Sequence, residues 1–269
     1  PALNFDAGAY EVTQEFTVSK DGTRVPMFIV ARKGAPRDGS NRTLLYGYGG
    51  FGISLTPAFS ASRLAWLERG GVFVQANLRG GGEYGESWHE AGTLRQKQNV
   101  FDDFAACAEH LTRQGWTRPE RLAIQGGSNG GLLMGVMLTR YPELFGALVC
   151  SVPLLDMKRY HLLLAGASWV AEYGDPDNPD DWAFISKYSP YQNISADRKY
   201  PALLMTTSTR DDRVHPGHAR KMTAALEAAG HRVSYYENIE GGHGGAADNS
   251  QAAFKAALVY SFLERTVGS

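Results

Sequence analysis

Six residues, Gly126-Gly127-Ser128-Asn129-Gly130-Gly131, constrain this chain more than any other stretch. They follow the apolar run Leu122-Ala123-Ile124 and precede a helix-forming run from Leu132 to Leu138. Strand, glycine-flanked serine and helix together make the G-x-S-x-G pattern of a nucleophile elbow. The turn forces the serine into a strained backbone conformation, and glycine on both sides lets neighbouring backbone come close. The hydroxyl then stands at the head of a helix, where N–H groups and the positive dipole end favour developing negative charge. The competing glycine-rich motif, a phosphate cradle, needs Lys before its Ser or Thr. Gly127 occupies that place.

The rest of the chain supplies the frame such an elbow needs. Residues 10–18 and 24–31 are strand-like runs joined by Lys20-Asp21-Gly22, and Asp-Gly between two such runs predicts a hairpin. Further strands are expected over 43–48, 72–77, 122–125, 148–152, 202–207 and 233–236. Helices are expected over 62–69, 99–114, 217–229 and 251–267, the second carrying Val100, Phe104, Cys107, Ala108 and Leu111 at helical spacing. A hairpin followed by strands alternating with helices predicts one α/β domain over 1–269. We expect an α/β-hydrolase fold, a mostly parallel eight-stranded sheet with helices on both faces. The aromatic-rich stretch 153–200 lacks clear periodicity and is expected to form a lid or pocket wall.

Composition narrows the function. With 269 residues, 43% of them hydrophobic, the chain can bury a large core. A net charge of −1 with no block of like charges argues against a nucleic-acid or anionic-membrane partner. No apolar run reaches membrane-spanning length. Cys107 and Cys150 sit in apolar surroundings without nearby metal-ligand partners, so no metal or cofactor is expected. The start, Pro1-Ala2-Leu3-Asn4-Phe5, has no signal-peptide character and reads as a processed chain or an excised domain.

A serine hydroxyl needs a base. In open parallel sheets sites gather at the carboxyl ends of strands, and the α/β-hydrolase order is Ser, then Asp or Glu, then His. The run 202–207 leads into Arg210-Asp211-Asp212-Arg213, and the last strand into Gly241-Gly242-His243-Gly244-Gly245. His243 is therefore the candidate base, and Asp211 and Asp212 compete to orient it. His89, His110, His161, His215, His218 and His231 read as surface or loop residues. The oxyanion needs two donors. One is the backbone N–H of Asn129; the other comes from the loop Tyr48-Gly49-Gly50-Phe51-Gly52, through a backbone N–H or the Tyr48 hydroxyl.

The stretches YGYGGF (46–51), NLRGGGEYGESWH (77–89), QGGSNGGLL (125–133), KYSP (187–190), DDRV (211–214) and GHG (242–244) together resemble the prolyl oligopeptidase family of serine peptidases. The resemblance covers essentially the whole chain. It implies Ser128 as nucleophile, Asp211 as acid, His243 as base, and the Tyr48 hydroxyl with the Asn129 N–H as oxyanion donors. It also implies that Trp169 stacks on a substrate proline ring, that Phe51, Tyr173 and Val214 line that pocket, and that Arg213 bonds a substrate carbonyl. The expected substrates are short proline-containing peptides cut after proline. An esterase, lipase or other oligopeptidase on the same fold, or a catalytically impaired binding module, are the alternatives. Family members carry a β-propeller, and no array of short repeated strands occurs here. A propeller is therefore an expected partner on the full-length protein or on another chain. The expected compartment is the cytoplasm, with the periplasm as alternative.

Overall fold

The computed structural model describes residues 4–268. An eight-stranded sheet runs through the molecule in the order β1-β2-β4-β3-β5-β6-β7-β8. Its strands are β1 (Tyr10–Val18), β2 (Arg24–Arg32), β3 (Thr43–Tyr46), β4 (Val72–Ala76), β5 (Leu122–Gly127), β6 (Ala147–Ser151), β7 (Ala202–Ser208) and β8 (Ser234–Asn238). β1 and β2 form the expected hairpin, β2 meets β4 antiparallel, and every later pairing is parallel. The helices are α1 (Ala61–Glu68), α2 (Glu86–Glu90), α3 (Gln98–Arg113), α4 (Asn129–Arg140), α5 (Val170–Tyr173), α6 (Pro179–Ile185), α7 (Gly217–Ala228) and α8 (Asn249–Thr266). No described helix is long and apolar enough to cross a membrane.

Strand side chains alternate between two cores, as a period of two requires. Leu45, Val72, Val74, Leu122, Ile124, Leu148, Cys150, Leu203 and Met205 point to the face covered by α3, α4 and α7. Leu44, Phe73, Ala123, Ala147, Val149 and Leu204 point to the face covered by α1 and α8. Both faces of the central strands are therefore dry, which explains why they read as unbroken apolar runs. The ends of these strands share one rim, and the loops that leave it carry the candidate site.

The structure corrects some local expectations. β3 stops at Tyr46, so Tyr48 lies in the loop that leaves the sheet rather than in a strand. Residues 153–200 hold α5, α6 and several single 3-10 turns. Two histidines read as surface or loop residues are buried on helices. His110 packs on α3 with its Nε2 3.7 Å from Glu15. His218 on α7 accepts the Leu155 and Asp156 N–H groups at Nδ1, both at 3.1 Å. Burial lowers the His218 pKa to about 4, so it serves as a neutral acceptor that fastens the root of the 153–200 excursion.

Candidate active site

Ser128 links β5 to α4 with φ 59° and ψ −116°. That left-handed conformation costs a non-glycine residue about 1–3 kcal/mol and persists only where surroundings over-determine it. Here they do. The Ser128 N–H donates to the Ser151 carbonyl at 2.9 Å, and its own carbonyl accepts from Gly131 at 2.9 Å and Leu132 at 3.1 Å. A Cβ added at Gly126 would lie 2.3 Å from the Gly130 carbonyl oxygen, so the turn closes only around glycine. The N–H of Asn129 heads α4, where a helix has no intrahelical acceptor to offer.

Asp211, in the loop after β7, is 4% exposed. Its Oδ2 meets His243 Nδ1 at 2.8 Å, while Oδ1 accepts the Arg213 and Val214 N–H groups at 3.0 and 2.9 Å. Burial pushes this carboxyl up, but the His243 bond and the two N–H donors outweigh it and hold its pKa below the ordinary value. Asp212, the sequence alternative, is exposed. Among the described residues it makes no side-chain bond to His243.

The His243 loop is tied down by Asn238 at the end of β8. Asn238 Oδ1 accepts the Glu240 and Gly241 N–H groups at 2.8 and 2.7 Å, and Nδ2 donates to the Gly245 carbonyl at 3.4 Å and to Gln251 at 2.9 Å. The structure thus joins His243 to Asp211 and places Ser128 on the same rim. Among the described residues no hydrogen bond joins Ser128 Oγ to His243. Such bonds are often long or misaligned before substrate binds.

The loop after β3 approaches Ser128 from the other side. The Phe51 N–H is spent on Glu172 Oε1 at 2.7 Å, and the Gly52 N–H on the Gly80 carbonyl at 2.9 Å. Two of the backbone donors that sequence left open are therefore engaged. The Tyr48 hydroxyl makes no bond among the described residues, and burial, aided by the nearby Tyr46 and Glu172, pushes its pKa up to about 12. It keeps its proton, and so its capacity to donate, across any working pH.

Trp169 ends a 3-10 turn over Leu164–Trp169 and is half-buried, as is Phe51. The Phe51 ring meets Tyr173 edge-on, with centroids 5.7 Å apart. Tyr173 and Val214 are 0% and 2% exposed, so both are buried behind the rim rather than facing solvent. The Tyr173 hydroxyl donates to Asn129 Oδ1 at 2.7 Å. Arg213 is exposed, and among the described residues its guanidinium has no carboxylate partner, Asp212 included. A cleft of about 1080 Å³, lined by Tyr200, Arg232, Phe254 and Phe262 among others, lies elsewhere: it opens at the start of β7 and β8, not at the rim where they end.

Sequence reasoning missed two residues of this neighbourhood, Glu172 and Lys97. Glu172 is 5% exposed and bridges Phe51 to His89, whose Nε2 lies 2.8 Å from Glu172 Oε2. Lys97, 1% exposed, heads α3 and donates to the Gly49 carbonyl and to Asn129. The one sequence signal was a cation at a helix N-terminus, where the dipole favours an acid.

The geometry has close counterparts. The model of the prolyl oligopeptidase family matches residues 57–269. An uncharacterized peptidase of Sinorhizobium fredii is 51% identical over 261 residues, covering 96% of this chain and 36% of its own length. A prolyl endopeptidase of Elizabethkingia miricola is 42% identical over 272 residues, covering 100% of this chain and 39% of its own. Among solved structures, a post-proline cleaving enzyme from Rickettsia typhi superposes with a TM-score of 0.97 at 43% identity, over 99% of this chain and 39% of that one. A structure from a study of two prolyl endopeptidases and their inter-domain dynamics gives 0.96 at 51% identity, over 99% of this chain and 40% of that one. The chain thus spans well under half the length of the relatives it matches. On this identity along nearly all of its residues, the chain belongs to the prolyl oligopeptidase family.

Proposed function

We propose that this chain is the hydrolase domain of a serine peptidase that cuts short peptides on the carboxyl side of proline. The observation that carries this reading is the 2.8 Å Asp211–His243 bond on the rim that also holds the strained Ser128. Asp211 fixes the tautomer with the proton on His243 Nδ1, leaving Nε2 free to take the Ser128 proton. Substrate binding has to bring Oγ and Nε2 together. Ser128 then attacks the scissile carbonyl, and the oxyanion settles on the Asn129 N–H and the Tyr48 hydroxyl. His243 returns the proton to the leaving amine, and water, activated by the same ring, hydrolyses the acyl-enzyme.

Selectivity for proline rests on an indole face. Proline offers a flat apolar ring and no N–H, and Trp169 supplies contact area at low entropic cost. Arg213, exposed and without a carboxylate partner among the described residues, is available to bond a substrate carbonyl. The relatives named prolyl endopeptidase and post-proline cleaving enzyme support the same specificity. A β-propeller, on the full-length protein or another chain, is the proposed gate over this open rim.

The test is hydrolysis of a prolyl chromogenic peptide, with a fluorophosphonate probe for the serine. Wild-type protein should turn over the peptide and take the label on Ser128, and Ser128→Ala should do neither while keeping its circular dichroism. A Ser128→Ala protein with undiminished turnover would overturn the assignment. Faster cleavage of simple esters than of any prolyl peptide would favour an esterase instead.

A further inference from the structure

We propose that Lys97 is a positioning residue, one ammonium that locks the two oxyanion donors, Tyr48 and Asn129, into a single unit. This rests on the serine-peptidase reading above.

Lys97 Nζ donates to the Gly49 carbonyl at 3.1 Å and to Asn129 Oδ1 at 3.3 Å. Gly49 follows Tyr48 in the loop after β3, and Asn129 follows the nucleophile. The same amide reaches back: Asn129 Nδ2 donates to the Tyr48 carbonyl at 2.8 Å. A Cβ at Gly50 would fall 2.4 Å from that nitrogen, so the loop lies directly against the Asn129 side chain. Tyr173 closes the ring from α5, its hydroxyl on Asn129 Oδ1 and its ring face 5.2 Å from the ammonium. Both oxygens that accept from the Lys97 ammonium belong to the segments that carry these two donors.

Nothing in the placement serves the fold cheaply. The side chain is buried, where a charge is disfavoured unless paired. It heads α3, where the helix dipole repels a cation. Among the described residues no carboxylate lies within salt-bridge distance of it. Groups bearing on its charge are few. Glu172 on α5 favours the ammonium, while Tyr173 offers its ring face, and α4 and the loop offer neutral amide and carbonyl oxygens. Burial dominates and lowers its pKa to about 8, with Glu172 offsetting part of the shift. A protonated Lys97 also places positive charge behind the position where the oxyanion develops.

The experiment compares the 269-residue chain with Lys97→Met, Asn129→Ala and the double variant. It uses prolyl-peptide kinetics, fluorophosphonate labelling and the pH dependence of kcat. The wild type should label and turn over. Lys97→Met should still label at Ser128 but lose about 100-fold in kcat with KM little changed, because a misplaced donor is felt only in the transition state. The double variant should lose no more than the worse single one, since both act through one unit. The wild type should also lose kcat above about pH 8 with its fold intact, and Lys97→Met should lack that decline.

A wild type that neither labels nor turns over overturns the peptidase reading and this proposal with it. A wild type that works while Lys97→Met keeps its kcat, or while the two losses simply add, overturns the Lys97 role alone. If Lys97→Met does not fold, Asn129→Ala decides: a variant that folds, labels and keeps the wild-type kcat overturns the role, since Lys97 acts through the Asn129 side chain.

Discussion

Glu172 fastens Phe51 to His89: one carboxylate oxygen accepts the Phe51 N–H at 2.7 Å and the other meets His89 Nε2 at 2.8 Å. Phe51 needs that hold, because it sits at φ 57°, a conformation a bulky residue avoids. Burial opposes charge on His89, but its bonds to Glu172 and Glu86 outweigh this and raise its pKa above the ordinary 6.5. A raised histidine pKa contributes stability that is complete below the unfolded value and is lost as pH rises through the folded one. The wild-type melting temperature should therefore fall as pH climbs above 6.5. Glu172→Gln should flatten that slope, lower stability by about 1–3 kcal/mol and raise KM for prolyl peptides as Phe51 loosens. Thermal melts across pH read the first two effects. Identical curves for variant and wild type would mean that the bridge contributes nothing.

Asp211 and Asp212 offer a paired comparison in which only one contacts the imidazole. Asp211→Asn should lower kcat by about four orders of magnitude, since an amide no longer enforces the right tautomer. Asp212→Asn, on an exposed side chain, should stay close to wild type. The depressed Asp211 pKa has the opposite sign to that of His89. Its stabilisation is present above the unfolded carboxyl value of 3.8 and is lost as pH falls through the folded one. Acid unfolding should therefore shift toward neutral pH in Asp211→Asn. Equal losses of kcat in the two variants would reopen the choice of acid.

Much of this architecture was legible because its causes are local. The central strands read correctly since both their faces are buried, and Asp21-Gly22 marks the hairpin turn without help from elsewhere. The elbow is a local motif too. What stayed hidden depends on partners distant in the chain. Glu172 is 121 residues from Phe51, and Lys97 is 48 from Gly49. His218 looked like a loop residue because its two donors lie more than 60 positions away. Periodicity and motif spacing carry no signal of such contacts. The choice between backbone and hydroxyl as second oxyanion donor was likewise open in the sequence, and folding narrows it by engaging the Phe51 and Gly52 N–H groups.

That engagement makes Tyr48 a sharp target. Tyr48→Phe keeps the ring and removes the hydroxyl donor, while the Gly49 and Gly50 N–H groups, which meet no acceptor among the described residues, stay in place. If the hydroxyl meets the oxyanion, kcat should drop by about 100- to 1,000-fold with little change in KM, the signature of a bond made only in the transition state. Steady-state kinetics on a prolyl chromogenic peptide measure both. A loss confined to KM would assign Tyr48 to ground-state binding, and wild-type kinetics would leave the oxyanion with another donor.

Trp169 tests specificity rather than chemistry. It ends the turn Leu164–Trp169, and the Ala165 N–H of that turn donates to the Arg213 carbonyl at 3.3 Å, so the turn is tied to the loop that also carries Asp211. Removing the indole should leave the Asp211–His243 pair intact, because neither residue bonds to it. What disappears is a flat apolar surface, and full burial of an apolar ring on such a surface contributes about 1.5–3 kcal/mol. Trp169→Ala should thus lose about 10- to 100-fold in kcat/KM on prolyl peptides and less on alanyl ones, which offer little ring surface to bury. The fluorophosphonate label on Ser128 should form at nearly the wild-type rate. Parallel kcat/KM series on matched prolyl and alanyl peptides supply the ratio. An equal loss on both would place Trp169 outside the proline pocket, and a slowed label would mean that it supports the catalytic loop instead.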